Sequence, residues 1–210
     1  PPLPEVEFPA ENPFSEAKRV LGKMLFFDEQ LSSDNTLACA TCHIPGAGGA
    51  APRLAVHPGP DGVLGTNDDM NTSPGVIRAD AANSYDPDPI FGLDAQLTGR
   101  AANPSIMAMF AEERFWDGRA TSRFEDPGDL PADMAGRRAD QPGYPELFAD
   151  AFGDEDISAA RIGMAIATYE RTLVADDTPW DRFIAGQQNA MTPSQRQGWQ
   201  VFQGSECRLC

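Results

Sequence analysis

The sequence predicts an all-α protein. Three observations lead there: the run Cys39-Ala40-Thr41-Cys42-His43 near the start, a second spaced pair, Cys207 and Cys210, at the end, and apolar residues that recur at helical rather than alternating spacing. The C-x-x-C-H order has a chemical reason. Cysteines one helical turn apart can each bond a vinyl group of the porphyrin, and the histidine that follows projects under the ring to hold iron. His43 is therefore the expected proximal ligand of a first haem c. Cys207 and Cys210 are the expected attachment points of a second, whose histidine would come next. Zinc fits poorly, because zinc ribbons and fingers bring their pairs together within roughly 15–20 residues, whereas these pairs lie at opposite ends of the chain. A thioredoxin-like dithiol would need a βαβ setting, and disulfide frameworks belong to shorter, cysteine-denser chains.

Taken in chain order, Asn12 before Pro13 offers a helix start, and Ala17, Val20, Leu21, Met24 and Leu25 form its expected buried stripe. The first cysteine pair follows one loop later. From there to Arg100 the chain is rich in Gly, Pro, Asp and Asn, which predicts a long irregular loop. The stretch from Pro145 to Phe152 predicts a short helix closed by Gly153. Ile162, Ile166, Tyr169 and Leu173 then line one face of a longer helix that must stop before Pro179. Thr192-Pro193-Ser194-Gln195 is a capping box with proline at N1, so a helix carrying Trp199, Val201 and Phe202 leads into the second cysteine pair. The expected division is a first haem domain over 12–175 and, over 176–210, a linker with the start of a second.

Composition narrows the partners. A net charge of −16 argues against nucleic acid and anionic membrane, both of which reward clustered Lys and Arg. The same charge suits electrostatic steering of a basic electron donor such as a small cytochrome c or a cupredoxin. No run approaches the 18 or more apolar residues of a membrane span, and Pro1-Pro2-Leu3-Pro4 lacks the basic and apolar regions of a signal peptide, so it reads as a trimmed end. Covalent haem implies attachment outside the cytoplasm, hence a periplasmic or otherwise exported protein. Within the long loop, Asp61, Asn67, Asp68 and Asp69 could offer oxygen ligands to calcium, although their spacing is not that of an EF-hand. A solvated turn cluster is the alternative.

The residues also carry a resemblance. Leu21-Gly22-Lys23-Met24-Leu25-Phe26-Phe27-Asp28, running to Leu31-Ser32 and the C-x-x-C-H motif, is similar to the opening of the di-haem cytochrome c peroxidase and MauG family. Phe115-Trp116-Asp117-Gly118-Arg119-Ala120 resembles that family's Trp-Asp-Gly-Arg motif. The run from Ala165 to Leu173, then Pro179-Trp180-Asp181-Arg182-Phe183 and the second cysteine pair, resemble its inter-haem helix and linker. The Asp-rich insertion has no clear counterpart there.

The resemblance implies two cytochrome c-like helical domains, two haems in the full-length protein, and reduction of hydrogen peroxide at the first haem with electrons relayed through the second. It implies a proton-moving carboxylate shortly after the Trp-Asp-Gly-Arg motif. Asp133, followed by Met134, is the nearest equivalent, with Glu125 as the substitute. Trp116 would sit between the haems as an oxidisable ring, with core filling as its other reading. Arg119 would bind haem propionates. His57 would close the resting reactive haem or else be a surface imidazole, and Asn103 would match the family's inter-domain calcium ligand. A MauG-like oxidase acting on residues of a partner protein, and a plain electron-carrying cytochrome, remain as alternatives. A homodimer is left open.

Overall fold

The structure is a computed structural model that describes residues 3–52, 54–80, 82, 84–111, 113–115, 120–121 and 143–206. It divides into a larger unit, Val6–Leu173, and a smaller one made of Val174–Cys210 with Pro1–Glu5. Among the described residues the regular structure is mainly helical, in six α-helices, with three small two-stranded antiparallel sheets. The all-α expectation is thus only approximate. The long loop after the first cysteine pair is not wholly irregular: it folds into β1 (Ala55–His57) against β2 (Met70–Thr72), and β3 (Pro74–Ile77) against β4 (Ala95–Leu97). These strands are too short, and too interrupted by turns, for alternation to show in the sequence. A third pair, β5 (Glu113–Arg114) and β6 (Ala120–Thr121), follows. No helix among the described residues is long and apolar enough to cross a membrane.

In the larger unit, α1 spans Glu16–Phe26, α2 Cys39–Cys42, α3 Tyr144–Phe152 and α4 Ala159–Glu170. Helix α1 starts later than Asn12 suggests, because Ser15 takes the N-cap and its side chain accepts the Lys18 N–H. Asn12 has a different task. It is buried, and its amide donates to the Met164 carbonyl at 2.8 Å and to the Thr168 hydroxyl at 3.1 Å, pinning the entering chain to α4. Helix α3 ends at Gly153, whose φ of +94° only glycine adopts readily. Helix α4 is capped by Ser158 and ends at Glu170, so Leu173 lies past it, its carbonyl accepting the Met107 N–H.

Leu21, Leu25, Phe148, Ala151, Ile162 and Ala165 form one buried cluster, with Ala17 and Ile166 packed against it. Fully burying each large member contributes about 1.5–3 kcal/mol. The stripe expected on α1 is rotated: Val20 and Met24 are exposed, while Gly22 and Phe26 face inward. The reason is a close helix crossing. A Cβ added at Gly22 would lie 1.9 Å from the Ala165 carbonyl oxygen, so the two backbones meet there and turn the neighbouring Leu21, Leu25 and Phe26 into the contact.

The smaller unit holds α5 (Pro179–Ile184) and α6 (Pro193–Gly204). Both begin with a capping box. Thr178 pairs with Asp181, and Thr192 with Gln195, whose side-chain oxygen accepts the Thr192 N–H at 2.7 Å. Trp180 and Trp199 pack at 4.3 Å between centroids, and Phe202 stacks on Trp199. Val201 of the same helix is exposed.

Because the crossing leaves no room for a side chain, Gly22→Ala should destabilise the larger unit by about 1–3 kcal/mol through overpacking. A thermal melt followed by circular dichroism measures this; an unchanged midpoint would show that the helices can separate without cost.

Candidate haem-attachment site

The site is built from the short helix α2 outward. The Ala38 N–H donates to the Thr41 hydroxyl at 3.0 Å, and the His43 N–H donates to the Cys39 carbonyl at 2.9 Å. These bonds hold Cys39 and Cys42 on one turn with His43 directly after them. The chain then reverses through Pro45–Ala47, and Ile44 pairs with Ala50. This reversal brings the Gly49 carbonyl to the His43 ring, where Nδ1 lies 3.0 Å from it. A carbonyl only accepts, so Nδ1 carries the proton and Nε2 is left as the lone-pair nitrogen, the tautomer an iron ligand requires.

Gly49 is held on three sides. Its N–H donates to the Ile44 carbonyl at 2.9 Å, and its carbonyl also accepts the Ser105 N–H at 3.0 Å. Its φ is +75°, and a Cβ there would stand 2.3 Å from the Ser105 hydroxyl. Neither Gly49 nor Ser105 was singled out by the sequence. The glycines Gly46, Gly48 and Gly49 directly after the motif were the available signal for a tight reversal.

The loop before the cysteines is organised by Asp34. Its Oδ1 accepts from the Thr36 N–H at 3.1 Å and the Thr36 hydroxyl at 2.6 Å, and its Oδ2 accepts from the Ile77 N–H at 3.4 Å. Desolvation pulls this carboxyl upward, and the hydrogen bonds from Thr36, Ile77 and Ser32 together outweigh it, so Asp34 titrates below its ordinary value. The link to Ile77 ties the loop to β3, and the Pro74 carbonyl of β3 accepts the Cys42 thiol at 3.6 Å. Burial raises the Cys42 thiol; burial first, then the Glu170 carboxylate, raises that of Cys39, which is nonetheless exposed by area.

Cys42 and His43 line a cavity of about 490 Å³ with Ser73, Thr98, Arg100, Asn103 and Phe115. That volume lies within the range of cofactor pockets, roughly 300–1,000 Å³. The donor set fits haem: two spaced thiols for thioether bonds and one imidazole in the ligating tautomer. Asn103 thus joins the wall of the cavity. His57 does not line it. The imidazole is buried, its Nδ1 accepts the Gly59 N–H at 3.1 Å, and its ring meets Phe91 at 4.7 Å, so it secures its own turn and is not a surface side chain.

The loop carboxylates also serve turns. Asp61 accepts the Val63 N–H, Asp69 the Gly65 N–H, and Asp68 the Asp61 N–H and the Thr66 hydroxyl. Among the described residues no group of three or more His, Cys, Asp or Glu is placed to hold a metal ion. Trp116, Arg119, Glu125, Asp133, Cys207 and Cys210 lie outside the described residues.

The fold and this cavity define a helical domain of the c-type haem class. Residues 16–189 match the description of the di-haem cytochrome c peroxidases. The chain is 32% identical to the methylamine utilization protein MauG of Methylophilus methylotrophus, over 96% of this chain and 53% of that protein. It is 30% identical to the cytochrome c551 peroxidase of Pseudomonas aeruginosa, over 100% of this chain and 54% of that one. A crystal structure of a MauG-like protein associated with microbial copper homeostasis shares the fold, with a TM-score of 0.56 at 22% identity over 95% of this chain and 52% of that one. The chain spans about half the length of the curated relatives it matches. It belongs to the di-haem cytochrome c peroxidase family.

Two outcomes follow from this geometry. Gly49→Ala should lower the thermal midpoint by about 1–3 kcal/mol equivalent, from the positive φ and the clash with Ser105 together; an unchanged melt would show that the reversal can shift without cost. For Asp34 the sign is that of a depressed carboxyl. Its contribution is full above the ordinary carboxylate value and is lost as pH falls through its lowered one. Urea midpoints of the wild-type protein and Asp34→Asn should therefore differ at neutral pH and converge in acid; a constant difference would show that Asp34 does not titrate with folding.

Proposed function

We propose that the protein is a c-type di-haem peroxidase. Hydrogen peroxide is reduced to water at the haem carried by Cys39, Cys42 and His43, with electrons relayed through the second haem at Cys207 and Cys210. The observation that supports this most directly is the committed Nδ1 of His43, which leaves Nε2 for iron beside a cavity that Cys42 also lines. When bound, haem supplies an iron that changes oxidation state and has an open position for peroxide.

The chain's residues do the rest. Cys39 and Cys42 tether the macrocycle, and His43 donates from Nε2. Splitting peroxide requires a base that takes the proton from one oxygen and returns it to the departing one; two electrons and two further protons then complete two waters. We assign that proton transfer to the Asp133 carboxylate, with Glu125 as the substitute. Trp116 offers an oxidisable ring for passage between the haems, and Arg119 pairs with propionates. The excess negative charge steers a basic donor, a small cytochrome c or cupredoxin, by an attraction that salt screens. This chemistry belongs in the periplasm.

A second reading, an oxidase acting on a partner protein, draws on the 32% identity to MauG. Peroxide titration of the haem-loaded protein, followed at the Soret band, separates both enzymes from a plain electron carrier, which would not respond. In the same assay Asp133→Ala should keep the haem spectrum and lose about 10²–10⁴-fold in peroxide turnover. Full turnover in that variant would remove Asp133 from the mechanism.

A further inference from the structure

We propose that Tyr169 is the relay through which an unused oxidising equivalent leaves the first haem site, an inference that rests on the peroxidase reading. The path is a run of rings. The His43 ring stands 6.5 Å from that of Phe26, and Phe26 meets Tyr169 edge-on at 5.3 Å. Phe26 and Tyr169 are 1% and 6% exposed, so the run is shielded from solvent. Phe26 has no group that oxidises readily and acts as the bridge, whereas Tyr169 carries a phenol that can be oxidised. The close crossing at Gly22 is what brings the two rings together.

The other tyrosines do not share this placement. Tyr85 is exposed. Tyr144 donates its hydroxyl to Asp28 at 2.7 Å, and its ring contacts run through Phe148 to Phe152, on a line that does not include His43.

When peroxide has been cleaved and no donor has arrived, the site lacks two electrons. Tyr169 supplies one of them: the phenol loses an electron to the oxidised site and its proton to the Glu170 carboxylate, leaving a neutral phenoxyl radical. Burial first, and then the charge of Glu170, hold the Tyr169 phenol above its ordinary value, so it is protonated at rest and releases its proton only on oxidation. The charge of Glu170 also raises the Cys39 thiol, after burial. The consequence is protection, since the oxidising equivalent is drawn away from the macrocycle and from His43.

The test is rapid freeze-quench electron paramagnetic resonance of the haem-loaded protein mixed with hydrogen peroxide without donor. A tyrosyl signal is expected in the wild-type protein and in Tyr144→Phe and Tyr85→Phe, and should be lost in Tyr169→Phe, which keeps the ring against Phe26. Haem bleaching over repeated peroxide additions should also quicken in Tyr169→Phe. A Soret response with no tyrosyl signal, or with a signal that survives Tyr169→Phe, would overturn the relay and leave the peroxidase reading standing. A Soret band indifferent to peroxide would overturn both.

Discussion

The approach of α1 to α4 at Gly22 is the constraint on which the larger unit depends. Two helix backbones touch there because the residue between them has no side chain, and everything on either side of that point is forced into contact. Leu21 and Leu25 meet Ile162 and Ala165 on one side, and Phe26 meets Tyr169 on the other. The cysteine-bearing turn hangs from the end of α1, and Phe26 reaches its histidine. Packing and site therefore share one foundation: loosening the crossing would lower stability and move the ring beside the His43 imidazole together.

Much of this was legible in the sequence. The helix ends at Gly153 and the capping box at Thr192 appeared where local chemistry put them, because caps depend on residues a few positions apart. The rotated face of α1 was not legible. Val20 and Met24 fit a helical period as well as their neighbours do, and only the presence of Ala165, far along the chain, selects the stripe that includes Gly22. The start of α1 was missed for a related reason: Asn12 is a capable cap, but a tertiary demand from Met164 and Thr168 takes its side chain away. The small hairpins were missed because three-residue strands carry too little alternation to rise above a Gly- and Asp-rich background.

The site divides in the same way. Cys39, Cys42 and His43 announce themselves because covalent haem needs those types at that spacing. Their supports do not, since a backbone carbonyl at Gly49 and a carboxylate at Asp34 act through geometry that residue type alone does not encode. The acidic loop shows the converse. Asp61, Asp68 and Asp69 each turn a carboxylate oxygen to a neighbouring N–H group, the ordinary duty of aspartate in turns, which residue type alone does not tell apart from cation binding.

The Gly49 carbonyl has both of its lone pairs committed, one to the imidazole and one to Ser105. An acceptor anchored twice cannot swivel to follow the ring, so the imidazole must keep the azimuth the carbonyl dictates. The direction in which His43 presents Nε2 is accordingly a property of the polypeptide scaffold rather than of a freely pivoting side chain, and the segment around Ser105 becomes a silent participant in setting it.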